Sequence, residues 1–481
     1  MPLGNITFEQ YPILDTEKRP VITNWTPIIP YAVKQTNITD LFYFKFILEI
    51  RLTDATGTLL GKLKQKKSPS STSTTNVAAV FDVRDIVNTQ LETQVFDFNV
   101  VKSSIHTLGS NNAAKPYSQN TTQLIAIYVK AYQEYSESAT ASPAEVTSTS
   151  VNDTLFYIPA SLDLNTTRGT TYLQTDAFET FKLKGSDKRL LSDVQSGYNS
   201  IGDVTGYVNV IRTTDYHTVG FLNGKDDFDS EARYFKIRYY NAAGVNLTSS
   251  GGDTSENIEN NNTNGGANPE TSSEVNTNSE RLIYFGCGPA NLEAQSVNTQ
   301  ARPSDSGYSG WVRYTIQPIK SGGDAMGATY HFVLDDDNCK GYDIRRLGWI
   351  NSVGCWDYFN FKKKSTQTLK VERDNYEVML GDYSSATYSY NNFDGGKKTR
   401  KTTAMISETL NTDWISELDA VLLENLMKST NVQIIQNDFT TYTVPVMIKD
   451  TSFVKKTTAN DGIKIQYTIQ IEYANPENTN S

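Results

Sequence analysis

The chain has 481 residues, a length that calls for about two to four domains, since single cores stop growing well below it. Its net charge of -10 argues against general nucleic-acid binding, which needs a basic surface to release counterions, and against an anionic membrane as partner. With 28 Tyr against 5 Trp, abundant Thr, Ser and Asn, and 38% hydrophobic residues, the balance favours strands and turns, so the fold class read here is mostly β and multidomain.

In chain order, NWTPIIP carries prolines that cannot donate to a ladder and reads as an edge or entry segment. LFYFKFILEIRL alternates Phe42, Phe44, Phe46, Leu48, Ile50 and Leu52 with Tyr43, Lys45, Ile47, Glu49 and Arg51, the period of a strand with one face in a core. DATG turns it and TLLGKLKQ returns as a hairpin. The cluster Lys62, Lys64, Lys66 and Lys67 reads as a solvated edge-strand face, with a local contact to an acidic neighbour subunit as the lesser reading. VFDVRDIVNTQLE starts as a strand and becomes helical near Asp82 or Asp85, and TQLIAIYVKAYQEY is a further strand. Residues 1–160 thus read as an N-terminal β-sandwich.

The polar break at 141–153 precedes a second β-rich region, 161–361, with strands at Tyr207–Ile211, His217–Leu222 and YFKIRYY. Its segment 248–280 has no aromatic residue and cannot offset ordering entropy by burial. Because YFKIRYYNAAGV and RLIYFGCGPANL look like partner strands, 248–280 reads as a long loop inserted in a hairpin. The last region, 362–481, predicts a C-terminal antiparallel sheet with one packed helix. TDWISELDAVLLENLMK would be capped by Thr412 or Asp413, with Ile415, Leu418, Leu422 and Leu426 on one face and Trp414 and Val421 beside it. TYTVPVMI and GIKIQYTIQIEYA are the closing strands.

Catalytic signatures are missing: no GxSxG, P-loop, GxGxxG or HExxH occurs, and the three histidines, His106, His217 and His331, stand in no recognisable setting. Three scattered cysteines, Cys287, Cys339 and Cys355, offer no zinc spacing and read as packed thiols. An EF-hand register from Asp336 puts Lys340 at the fifth position and Leu347 at the twelfth, so it fails. An irregular cation site there is the minor alternative to a plain acidic turn. Asp335, Asp336 and Asp226–Asp229 could supply paired carboxylates for glycoside hydrolysis, but nothing fixes their separation. The expectation is a non-enzyme without cofactor or metal. MPLGNITFEQ shows no basic or apolar leader, and no apolar run is long enough to span a bilayer.

RLGWINSVGCWDYFNF, residues 346–361, concentrates aromatic side chains around turn residues. Arg346, Trp349, Asn351, Gly354, Trp356, Asp357, Tyr358 and Phe361 read as a strand–turn–strand corner filling a core or interface, with Asp357 bonding the turn's backbone. An exposed aromatic platform for sugars is the competing reading.

This stretch resembles the R-L-x-W-L-N-x-x-G-x-x-D-Y-F-x-F segment of virion structural proteins of tailed bacteriophages, notably phages of marine bacteria. FYFKFILEIRL with FDVRDIVNTQL, RLIYFGCGPANL, TDWISELDAVLLENLMKSTNV, VPVMIKDTSFVKKT and IQYTIQIEYAN resemble further segments of such proteins in order, covering most of the chain. Cys355 stands where the pattern has a small residue, and 248–280 looks like an insertion. The resemblance implies a non-catalytic component of the tail, neck or baseplate, assembled in the host cytoplasm into the virion. Its partners would be copies of itself in a symmetric homo-oligomer and other virion proteins, with no nucleic acid or membrane. Loops 381–396 and 248–280 are then candidate subunit or host contacts. The alternatives are a glycan-binding adhesin recognising a host-surface glycan through Trp349, Trp356 or the Tyr-rich loop, and a polysaccharide-degrading enzyme.

Overall fold

The computed structural model describes residues 5–10, 21–24, 30–36, 38, 40–70, 73–96, 105–109, 116–119, 125–161, 180–181, 183, 185–192, 208–222, 232–260, 282–320, 322–335, 341–384, 386–389, 393, 395–415, 417–435, 443–450, 452 and 465–477. The protein is mostly β, with several sheets and few helices. It forms two compact units, residues 1–335 with 351–357, and residues 336–350 with 358–481. The sequence reading drew three regions and placed both arms of the aromatic corner in the central one.

The first unit holds four sheets. One runs β1 (Ile6–Gln10), β3 (Pro30–Gln35), β7 (Ser73–Asp82), β6 (Ser68–Ser70); another runs β2 (Val21–Asn24), β10 (Ala144–Ser161), β9 (Ile125–Ser136), β4 (Phe42–Leu52), β5 (Leu59–Lys66). They enclose one core, with Tyr31, Val33, Val77, Ala79 and Phe81 from the first and Phe46, Leu48, Ile50, Ile127, Val129 and Tyr157 from the second. Burial of these side chains is the main stabilising term, about 1.5–3 kcal/mol for each large one. Tyr31 and Tyr157 join hydroxyls across this core at 2.7 Å, so neither is left as an unpaired buried polar group. Helix α1 (Arg84–Phe96) follows β7 directly, with Asp82 Oδ1 accepting the Arg84 amide and Val87 and Leu91 packed into the same core.

The alternation of β4 holds at Phe44 to Ile50, but the opposite face is also covered at Ile47 and Glu49, and Phe42 is exposed. The covered face carries an ionic ladder. Lys62 and Lys64 on edge strand β5 reach Glu49, Glu134 and Glu145, while Lys45 and Arg51 pair with Glu134 and Glu49. Lys62 and Lys64 of the basic run therefore meet acidic partners within their own sheet.

A second core lies between two further sheets, β11 (Asn209–Ile211), β17 (Tyr330–Leu334), β16 (Arg313–Ile319), β13 (Tyr234–Tyr240), β14 (Glu256–Glu259), and β12 (Thr218–Leu222), β15 (Leu282–Gly286), β8 (Tyr117–Gln119). The short helix α2 (Pro289–Ala294) follows β15. Two expectations are corrected here. YFKIRYY and RLIYFG are not hairpin partners: β13 pairs with β14 and β16, whereas β15 pairs with β12 and β8. The polar segment is also structured in its first part, since Glu256–Glu259 adds a strand to β13 and buries Ile258. Its residues 261–280 lie outside the described ones. Tyr117 ties the two sheets, donating to Ile258 O at 2.6 Å and accepting from the Phe235 amide at 3.2 Å.

The second unit is built on one seven-stranded antiparallel sheet, β19 (Trp356–Phe361), β18 (Arg345–Ile350), β24 (Val432–Ile435), β25 (Thr443–Ile448), β26 (Thr468–Tyr473), β23 (Gly396–Asn411), β20 (Thr366–Val378), with a small hairpin β21 (Asp382–Ser384) and β22 (Thr387–Ser389). Arg345 on β18 contacts Glu408 on β23 at 2.8 Å, although four inter-strand steps, about 19 Å in a flat sheet, separate them. The sheet is therefore strongly curled. Glu408 is its polar hub, also accepting from Gln367 Nε2 and from the Tyr473 hydroxyl.

Helix α3 (Glu417–Lys428) is shorter than expected at its start. Thr412 and Ile415 are held extended, by Thr412 N–H to Tyr467 O and by a two-way bridge between Ile415 and Ile465, so neither Thr412 nor Asp413 caps the helix. The buried face is Ala420, Leu422, Leu423 and Leu426; Ile415 is buried from its extended segment, while Trp414 and Val421 are exposed. The Leu418 side chain lies outside the described residues.

Candidate functional site

The aromatic corner is a structural element built around Asn351. Its Oδ1 accepts the amides of Val353 and Cys355 at 3.1 and 2.9 Å, and its Nδ2 donates to Leu191 O and Asp357 Oδ2 at 3.0 and 3.1 Å. The turn's backbone is thus bonded by Asn351, and Asp357 accepts from the Ser192 hydroxyl at 2.8 Å and from Asn351. Gly354 sits at φ 84°, and a Cβ there would lie 2.3 Å from Pro159 O, so only glycine fits. Cys355 fills the space beside Gly220, and burial pushes its thiol up to about 12, an inert packed thiol and no nucleophile. Trp356 meets His106 edge-on at 4.6 Å.

The strands of the corner carry the rest. Arg346 lies over the Tyr358 ring at 4.9 Å and donates to Asn360 Oδ1 at 3.0 Å, so its buried charge is partnered. Phe361 packs edge-on with Phe359. Trp349 and Trp356 are 0% and 1% exposed and present no face on which a sugar could stack. The eight residues singled out in the corner serve packing, turn geometry and hydrogen bonding, while the buried Trp349 indole N–H has no acceptor among the described residues.

The residues considered for chemistry do not converge. His106 and His217 are buried against Trp356 and Phe332. His331 is partly buried, and desolvation together with the Arg313 charge pushes its pKa down to about 4. Asp226–Asp229 and Asp336 lie outside the described residues, and Asp335 is fixed by its amide to Ile211 O. Among the described residues no group of three or more His, Cys, Asp and Glu is arranged to hold a metal ion.

The surface that does stand out is a β-ribbon. β20 and β23 pair from Thr366↔Thr409 to Val378↔Gly396, while β26 supports β23 only over Ser407–Asn411. Beyond Ser407 the pair continues as two strands, with a bridge from Ala404 to Glu477 as its last ladder contact among the described residues. Ten residues of β20, at about 3.3 Å each, make this ribbon about 33 Å long. Every residue of β20 is exposed except Val371 and Val378, which are partly buried. The ribbon has no apolar face, and a register shift at Asp374/Asn375 leaves Arg400 as an extra residue in β23.

Its tip is apolar. Met379 is 79% exposed, Tyr383 69% and Phe393 83%, with Leu380 and Tyr388 also exposed. The three rings alone offer on the order of 300–500 Å² to a partner, given ~150–250 Å² per buried aromatic side chain. That approaches the patch size at which an exposed apolar surface marks an interaction site. The sequence singled out loop 381–396 as a candidate contact, whereas TQTLKVERDNYEV was given no assignment. Polar residues at both odd and even positions were the available sign that neither face enters a core. No protein-family model matches the chain, and no curated protein is significantly similar to it.

Proposed function

We propose that the chain is a non-catalytic structural component of a tailed-phage virion, in the tail, neck or baseplate, assembling through repeated interfaces. The observation that carries this reading is the exposed β-ribbon with its apolar tip, a surface that a lone chain leaves in water. The ordered resemblance around RLGWINSVGCWDYFNF supports the phage assignment, and symmetric particles reuse one such patch many times. The test is mass spectrometry of gradient-purified virions: the chain should be present at a fixed ratio to the other particle proteins, and its absence would overturn the reading.

A second reading, a host-recognition adhesin, draws on the same tip, whose Tyr383, Tyr388 and Phe393 are exposed rings. It requires saccharide binding by titration calorimetry that Tyr383→Ala removes without unfolding the chain. Binding unchanged in that variant, or no binding, counts against it.

A further inference from the structure

The outer edge of β20 ends the seven-stranded sheet, and among the described residues no strand pairs with it. An edge strand of this length is a row of unpaired amides and carbonyls, and charged residues usually guard such a row. β20 carries Lys370, Glu372, Arg373, Asp374 and Glu377, charges of both signs. Mixed charges repel most strands but admit a strand whose charges fall in the complementary order.

We propose that this edge pairs with the same edge of a second copy of the chain, antiparallel, in the register centred on Val371. The proposal deepens the assembly reading by naming one of its partners. Two-fold symmetry keeps each side chain on its own sheet face, so residues opposite each other must have the same parity, and every allowed register is centred on one residue.

Centres at 370, 372, 373 and 374 set Lys370, Glu372, Arg373 or Asp374 against its own copy, a like-charge pair at the axis. The centre at Val371 has none. It pairs eleven residues: Val371 with itself, and on each side Lys370 with Glu372, Leu369 with Arg373, Thr368 with Asp374, Gln367 with Asn375 and Thr366 with Tyr376. The register centred on Asn375 also avoids conflict but pairs only seven residues of the strand.

The register has a second consequence. Beyond Tyr376 each ribbon runs past the start of the other copy's β20, where the lysine run 362–364 precedes the strand. The tip carries the exposed Met379 and Leu380, so an apolar tip meets the aliphatic stems of a basic segment. Self-pairing therefore also gives the exposed tip a partner.

Charge exchange tests this directly. Wild-type protein should be a dimer, or a multiple of one, by light scattering. Lys370→Glu and Glu372→Lys should each weaken self-association at least about tenfold, because two attractive cross-strand pairs become repulsive. Mixing the two variants should restore the dimer, since each supplies the charge the other needs, and the double variant should restore it within one chain. This recovery shows that the single variants are folded. A wild-type monomer up to about 100 μM, a thousandfold above the affinity range of ordinary specific complexes, overturns the pairing. Single variants that keep the wild-type mass overturn it too, and leave the broader assembly reading to the virion measurement.

Discussion

Gly354, Glu408 and His331 show how single residues carry the architecture. Gly354→Ala forces a side chain into a left-handed backbone with Pro159 O at 2.3 Å, and should cost at least about 2 kcal/mol in urea unfolding. Glu408→Ala removes the acceptor of Arg345, Gln367 and Tyr473. Burial pushes the Glu408 carboxyl up, but hydrogen bonds from Arg345 and Gln367 hold it below the ordinary value. Because Arg345 is partly exposed and can be rehydrated, the expected loss is about 1–3 kcal/mol. His331 works through pH: its folded pKa of about 4 lies below the ordinary 6.5, so the unfolded chain takes the proton first. Its contribution is full above about pH 6.5, is lost as pH falls towards 4, and is at most about 3 kcal/mol. Replacing it by Gln should flatten the fall in urea midpoint between pH 7 and pH 4.5. None of these roles was visible in the sequence, because each depends on a neighbour brought from far along the chain. Asn351 was singled out as a turn residue, but its bond to Leu191 O was not foreseeable.

Whole elements were more legible. LFYFKFILEIRL, the strand-to-helix step at Asp82 and the closing strands follow from periodicity, which is a local property. Strand partners are not local, which is why YFKIRYY and RLIYFG were paired wrongly and the strand Glu256–Glu259 was hidden in a polar segment. Helix α3 shows the same limit. Trp414 and Ile415 fit a helical repeat, yet the bridge of Ile415 to Ile465 wins and the helix starts later. The ionic ladder on β4, β5 and β9 yields a prediction at this scale. A hydrogen bond from Lys64, then one from Lys45, holds the Glu134 carboxyl below its ordinary value. Its stabilisation is present above about pH 4.5 and is lost as pH falls through the depressed folded value. Glu134→Gln should therefore lower the melting temperature at pH 7 and bring it closer to wild type at pH 3.

At the scale of the molecule, charge is unevenly placed. Nine basic and six acidic residues lie between 361 and 411, although the whole chain carries -10. This segment is thus cationic within an acidic protein, and because the proposed pairing sets Lys370 against Glu372, self-association through β20 should weaken as salt rises from 50 to 500 mM in sedimentation measurements. Composition gave the β class and the acidic balance but not this segregation. The division into two units was equally hidden, because the turn at 351–357 packs with one set of residues while its flanking strands pair in the other sheet.

The continuity of β23 has a mechanical meaning. One unbroken backbone runs from the glycine pair at the tip, 395–396, to Asn411 inside the curled sheet. A pull on the tip along the ribbon draws β20 and β23 in the same direction from their joined end, so the load passes to the root, where the β23–β26 rungs take it together, in shear, whereas a sideways pull would open rungs one by one. At the root, the ladder with β26 and the bonds converging on Glu408 take over the tension where the free pair ends. The ribbon is therefore built as a tether whose strength depends on the direction of force, and an axial load should have to break several rungs at once before the chain lengthens.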